Sequence, residues 1–382
     1  MSDNFCPAPW IGLFYTVNSA GVCCVDSIMS KTSPDDLKNT DHVKTLKKEF
    51  LAGKRPTSCG QCWKNELIGL QSIRMHTIKR MTEYADISKF SVDTDIDIKH
   101  LELRASNLCN FKCRMCNGNN SIEIQREIEN NTKLRKHFEQ ADSHITEISD
   151  SNWESIKQIS LGLESLVLTG GEPFLIKKYY DLMDHLIEYE RIQNITLMIY
   201  TNCSVYNPKF INQMIQFKDV VLNLSIDAVG KTAEYQRHGT VWDVVSNNVF
   251  KLIRLPVKVF IHSTITAYSI LDFSKLSDFY IELYNINNKI GFKAHTINDL
   301  SALSIRSIPD NLKEKANEEI ELSLNKLQDK KFSAIRRELE SIQKHLRHKT
   351  SDSSKFVEFT NDLDLIRNEN FQNTFNLRLT DQ

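Results

Sequence analysis

The stretch CNFKCRMC sets three cysteines at positions 109, 113 and 116, with polar and apolar residues mixed between them. Three thiols so close together cannot all pair as disulfides, because one is always left over. They read instead as ligands. A tetrahedral zinc site and an iron–sulfur cluster both accept thiolates grouped in this way. A structural zinc site wants a fourth protein ligand, and no Cys or His follows closely after Cys116. Three thiolates on a four-iron cluster leave one iron open to a substrate or cofactor.

Six further cysteines complete the set of nine. Cys6, Cys23, Cys24, Cys59 and Cys62 form an early group, Cys203 stands apart, and none follows it. The N-terminus, MSDNFCPAPWIGLF, lacks the basic and long apolar regions of a signal peptide. The expectation is therefore a reducing cytoplasm, where these thiols serve as ligands rather than as a disulfide framework. Among 382 residues, 41% are hydrophobic and 25% charged, which is an ordinary globular balance. With 48 basic against 49 acidic residues, no global field favours a nucleic acid or a membrane surface. No apolar run is long enough for a membrane span.

The elements that must position these residues are legible as short apolar runs separated by helix-length connections. The runs are IKHLELR (98–104), ESLVLT (164–169), ITLMIYT (195–201), VVLNLSID (220–227), VKVFIHSTI (257–265) and KIGFKAH (289–295). Such runs predict a parallel sheet buried on both faces, and six of them predict a partial barrel with its chemistry at the C-terminal strand ends. Ahead of them, IGLFYTV and VCCVD are short apolar stretches, and helices are expected near 35–52 and 63–82. Behind them, FSAIRRELESIQKHL spaces Phe332, Ile335, Leu339, Ile342 and Leu346 by threes and fours, an amphipathic helix. TSDSSK (350–355) has the composition of a linker.

CNFKCRMC has the C-x3-C-x2-C spacing that resembles the defining motif of radical S-adenosylmethionine (radical SAM) enzymes. The second run ends in LVLTGGEPF, similar to that superfamily's GGEP motif. Gly170 and Gly171 let the backbone approach a ligand closely, and Glu172 offers a partner for an ammonium group. YTNCS (200–204), LSIDA (224–228) and EYQRHGT (234–240) resemble further motifs at later strand ends, which nominates Asn202, Ser225, Asp227 and Arg237 as cofactor contacts. Met115 occupies a position that is often aromatic in the family, and a thioether can pack on the adenine side. Cys203 stands where glycine is common, either as a small buried hydrophobe or as a thiol near the radical path. The resemblance implies an α/β fold, a partial (β/α)6 TIM-like barrel over 96–305. It also implies a [4Fe-4S] cluster on Cys109, Cys113 and Cys116, with S-adenosylmethionine chelating the open iron. Reductive cleavage of that cofactor gives methionine and a 5′-deoxyadenosyl radical, which takes a hydrogen atom from the substrate.

The early cysteines carry a second resemblance. CPAPW, GVCC and CGQCWKNELIGLQSIR are similar to the auxiliary-cluster half-module called twitch, related to SPASM. Cys59, Cys62, Trp63, Glu66, Gly69, Ser72 and Arg74 carry its pattern, which would make 1–95 a small N-terminal module. It implies a second [4Fe-4S] cluster on Cys6, Cys59, Cys62 and one of Cys23 or Cys24. Adjacent strand residues point to opposite faces, so one of the pair is expected to serve, with Cys23 preferred. A zinc knuckle is the alternative. FVEFTNDLDLIRNENFQNTF (356–375) resembles the closing segment of such proteins, within a C-terminal helical extension over 306–382. There Asp364 and Arg367 have the i,i+3 spacing of an ordinary surface pair.

The reading is thus a radical SAM enzyme acting on a peptide or protein side chain by oxidation, crosslinking or epimerisation, supplied by an electron donor of the flavodoxin or ferredoxin type. The same chemistry on a small metabolite such as a sugar, nucleotide or amino-acid derivative is a second reading, and no leader-binding domain of the size common in peptide maturases is visible at either end. A non-catalytic iron–sulfur or zinc protein is the third. The insertion 117–163 between the first two runs is long, polar and unmatched.

Overall fold

Apolar runs too short for helices must satisfy their backbone groups by pairing, and all six runs do so. A computed structural model describes residues 2–67, 71–81, 83–138, 146–297, 301–347 and 352–380. Its strands are β1 (Gly12–Tyr15), β2 (Ala20–Gly21), β3 (His100–Leu103), β4 (Lys112–Cys113), β5 (Ser165–Leu168), β6 (Thr196–Thr201), β7 (Asp219–Leu224), β8 (Arg237–His238), β9 (Lys258–Ile265) and β10 (Gly291–Thr296). Eight of these form one mostly parallel sheet with helices between them, the α/β class expected. Backbone contacts divide the chain into two compact units.

The first unit comprises Met1–Asn107, Ser143–Ile199 and Pro208–Val220. Here β3 runs parallel to β5, with His100 opposite Ser165 and Leu103 opposite Leu168. β5 runs parallel to β6. Leu101 and Leu103 are fully buried on one face of β3, and β5 is buried on both faces, Leu166 and Leu168 on one and Ser165 and Val167 on the other. The N-terminal run also joins this sheet: β1 pairs in parallel with β3, Gly12 opposite His100, and carries β2 antiparallel on its other side. β2 ends at Gly21, and residues 22–25 are bends and turns rather than strand. The expected helix near 35–52 is Asp41–Leu51, started by Thr40, whose hydroxyl accepts from the Val43 amide. The single helix expected over 63–82 is two, Gly60–Leu67 and Ile73–Met81, and Ser72 accepts from the Met75 amide to start the second.

The second unit comprises Leu108–Asp142, Tyr200–Asn207 and Val221–Gln382. β7 runs parallel to β9, and β9 to β10. β4 and β8 make a small antiparallel ribbon with Lys112 opposite His238 and Cys113 opposite Arg237. The amphipathic helix is Ser333–Leu346, with Ile335, Leu339, Ile342 and Leu346 buried as the spacing predicted, and Phe332 buried just before it. Helix Ser354–Arg367 follows, ending at Asn368 in the left-handed conformation. Among the described residues no helix is long and apolar enough to cross a membrane.

Gly170 in the first unit combines a positive φ with a close backbone approach. Its φ is +102°, and a Cβ there would lie 2.7 Å from the Ser106 carbonyl oxygen and 3.4 Å from the Arg104 Cα. We expect Gly170→Ala to cost about 2 kcal/mol, from strain and backbone displacement together. A thermal or denaturant melt of the purified protein checks this, and a variant as stable as the parent would refute it.

Candidate functional site

The cysteine triplet lies in the second unit, where the β4–β8 ribbon places Arg237 directly across from Cys113. The Arg237 Nη1 lies 3.8 Å from the Cys113 Sγ, and its Nε donates to the Asp227 Oδ2 at 2.7 Å. Asp227 is itself held tightly. Gln236 donates to its Oδ2 at 2.9 Å, the Thr264 amide donates to its Oδ1 at 2.8 Å, and Thr266 Oγ1 donates to Gln236 Oε1. Burial pushes the Cys113 thiol up, and the Arg237 guanidinium opposes that rise. Asn202 Nδ2 lies 3.9 Å from the Cys109 Sγ, which also receives the Phe111 amide at 3.5 Å. Asn202 is oriented by its own Oδ1, which accepts from the Ser204 amide at 2.8 Å.

Four of the expected cofactor contacts share one recess. Asn202, Ser225, Asp227 and Arg237 line it together with Phe111 and Trp242, around a cavity of only about 10 Å³. Met115 is half-buried and is not among its lining residues. Cys203 is fully buried at φ +61°, its amide and Sγ turned to Thr201 and its carbonyl accepting from Asn248 Nδ2. The left-handed backbone is the physical reason glycine suits this position, and the thiol is packed as a small hydrophobe. The donor set fits an iron–sulfur cluster: soft sulfur ligands from one loop, with N–H groups aimed at two of them. Among the described residues, no group of three or more His, Cys, Asp and Glu is arranged to hold one metal ion.

The GGEP segment belongs to the first unit. The Gly171 amide donates to the Ser106 carbonyl at 3.0 Å. Glu172 is buried and its Oε1 accepts from the Phe174 amide, capping the short turn Pro173–Leu175.

The five early cysteines also lie in the first unit, and their environments separate them. Cys6 is pushed up to about 12 by burial, with Cys59 and Cys62 adding to the rise and Arg74 opposing it. Cys59 is likewise pushed up to about 12, first by burial and then by Asp26. Burial raises Cys23, with Cys24 and Cys6 as its next contributors, whereas Cys24 is engaged by Glu102 and Arg104. The alternation of strand faces does not apply to residues 22–25, yet Cys23 is the one of the pair that neighbours Cys6. The rest of the pattern forms one network. Arg74 clamps Glu66 with Nε and Nη2 at 2.9 and 2.6 Å, and donates from Nη1 to the Asp3 and Phe5 carbonyls just before Cys6. Ser72 donates to Glu66 at 2.5 Å, and the guanidinium lies 4.9 Å from the Trp63 ring centroid. Gly69 lies outside the described residues.

One expectation is corrected. Asp364 and Arg367 do not pair with each other: Asp364 binds Arg114, Tyr235 and the Phe371 amide, while Arg367 binds Glu127. Arg114 itself, inside the cysteine motif, was not singled out from sequence, since nothing in an isolated Arg signals burial.

Residues 103–274 match the model of the Radical SAM superfamily. Over 184 residues the chain is 25% identical to the radical SAM cyclopropyl synthase TigE of Paramaledivibacter caminithermalis, covering 48% of this chain and 36% of that one. Native anSMEcpe with bound AdoMet overlays at a TM-score of 0.41 with 16% identity, covering 58% of each chain. Streptococcus suis SuiB bound to precursor peptide SuiA overlays at 0.38 with 16% identity, covering 69% of this chain and 60% of that one. The chain thus spans about a third of the curated relative and under two thirds of these structures.

Glu66→Ala would leave the Arg74 guanidinium without its carboxylate, at a cost of about 2 kcal/mol because the pair is only partly exposed. Thermal melts of the metal-free protein check it, and an unchanged midpoint would show that the network does not hold the Cys6 segment.

Proposed function

We propose that the protein is a radical SAM enzyme that abstracts a hydrogen atom from a peptide or protein side chain. The observation that carries the cluster at the heart of this reading is the pair of N–H donors, from Asn202 and from Arg237 backed by Asp227, aimed at the sulfurs of the C-x3-C-x2-C loop. Cys109, Cys113 and Cys116 would hold a [4Fe-4S] cluster. When bound, that cluster supplies the electron that cleaves S-adenosylmethionine to methionine and a 5′-deoxyadenosyl radical. Arg237 and Asn202 keep positive and polar hydrogen atoms beside the thiolates, favouring their ionised form. Ser225, Phe111 and Trp242 line the small recess beside Asn202, Asp227 and Arg237, and the resemblance gives Ser225 a contact with the cofactor. Gly170, Gly171 and Glu172 keep the role the resemblance gives them, backbone and charge contacts with the cofactor's amino end.

For residues 1–95 we propose an auxiliary [4Fe-4S] module on Cys6, Cys23, Cys59 and Cys62. Its support is that Cys59 and Cys62 both act on the ionisation of Cys6 and that Cys6 acts on Cys23, with Cys24 turned to Glu102. Residues 96–305 would be the catalytic barrel and 306–382 its helical extension. A reducing cytoplasm and a donor of the flavodoxin or ferredoxin type suit oxygen-sensitive thiolate sites of this kind.

The test is the release of 5′-deoxyadenosine from S-adenosylmethionine by the anaerobically reconstituted, dithionite-reduced protein. Cys113→Ala should abolish it, whereas Cys59→Ala should leave cofactor cleavage and lower product formation. Normal turnover in Cys113→Ala would overturn the assignment. Hydrogen exchange from a deuterated peptide pool into 5′-deoxyadenosine supports the substrate class, and exchange from metabolites alone contradicts it.

A further inference from the structure

Arg114 sits between Cys113 and Met115, and its side chain is fully buried. A buried guanidinium is costly unless its charge is met, and here the charge and the Nη2 and Nε donors are met by distant parts of the second unit, while Nη1 is buried without a hydrogen-bond partner. Its Nη2 donates to Asp364 Oδ1 at 2.6 Å and also to Glu369 Oε2. Its Nε donates to the Tyr235 carbonyl at 3.0 Å. Its plane lies 3.7 Å from the Tyr235 ring centroid and 5.4 Å from that of Tyr268. The Arg114 amide donates to the Gln236 carbonyl at 2.8 Å, one residue before Arg237.

The carboxylates are themselves fixed. Asp364 accepts from the Tyr235 hydroxyl and the Phe371 amide, each at 2.7 Å, and Glu369 meets His238 Nδ1 at 2.6 Å. A second, separate tie flanks Cys113 on its other side. Lys112 donates to Glu127 at 2.8 Å, and Glu127 is clamped by Arg367 through Nη2 at 2.6 Å and Nε at 3.2 Å. The residues before and after Cys113 are therefore both wired to the segment that ends the chain's last long helix.

We propose that residues 364–369 act as a clamp that sets the position of the cysteine loop, with Arg114 as its positioning residue. The clamp holds the loop against Tyr235 and Gln236, and so fixes Arg237 relative to Cys113. Its consequence for chemistry rests on the cluster assignment above, but the clamp itself is a property of the metal-free chain.

The experiment measures iodoacetamide labelling of individual cysteines in the full-length metal-free protein, read by mass spectrometry. Cys203, fully buried and far from the clamp's partners in sequence, is the internal control for unfolding. Asp364→Asn should raise the Cys113 labelling rate by about tenfold with Cys203 still protected, as local opening without global unfolding requires. Asp364→Glu, which restores the carboxylate, should return the rate toward the parent's. If Asp364→Asn labels Cys203 as well, Glu369→Gln, which leaves Asp364 on Arg114, is read in its place. After reconstitution, the same variants should show a shifted electron paramagnetic resonance signal for the reduced cluster at unchanged iron content. Parent-like Cys113 labelling in folded Asp364→Asn and Glu369→Gln overturns the clamp. Absence of any cluster signal in the parent overturns the cluster assignment instead, and leaves the labelling comparison to judge the clamp.

Discussion

Asp227 accepts from Gln236, from Arg237 and from the Thr264 amide, and that concentration of donors on one buried carboxylate organises the second unit's site. A carboxylate taken out of water must be met by charge and hydrogen bonds, and a guanidinium beside it can then be aimed elsewhere with its remaining donors. Arg237 is aimed at Cys113. Because β4 and β8 are antiparallel partners, the same ribbon that brings Arg237 across from Cys113 also brings His238 across from Lys112. Each cysteine-flanking side chain is then in reach of a carboxylate from elsewhere in the unit.

The two cysteine groups solve one physical problem differently. Thiols buried away from water resist ionisation, and ligation of iron requires thiolates. Around the triplet the compensation is a guanidinium and two amide-type donors. Around the early group it is Arg74, whose charge also ties the backbone before Cys6 to Glu66 and stacks on Trp63. Both arrangements use arginine, whose fork can serve a carboxylate and another acceptor at once.

The elements most legible from sequence were those decided by local pattern. Six apolar runs became strands, of which β5 is buried on both faces while β6 and β9 alternate buried with half-buried or exposed positions, and the Phe332–Leu346 spacing became a buried helix face. The segments YTNCS, LSIDA and EYQRHGT nominated Asn202, Ser225, Asp227 and Arg237 by resemblance, and these four line one recess. What stayed illegible depended on partners distant in the chain. Gly12–Tyr15 looks like any short apolar stretch until β3 is available to pair with it. Asp364 and Arg367 have the spacing of a surface pair, and only tertiary packing offers them Arg114 and Glu127 instead. Cys23 and Cys24 differ through Glu102, which no local pattern places beside Cys24.

The measurement that bears most directly on this account is anaerobic iron and sulfide analysis of the reconstituted protein beside its Cys109/Cys113/Cys116 triple-alanine variant. Two clusters predict about eight irons in the parent and about four in the variant, one cubane having been lost. About four in the parent and none in the variant would make the early cysteines a zinc or metal-free module. Equal iron in the two proteins would contradict the central claim that CNFKCRMC holds a cluster.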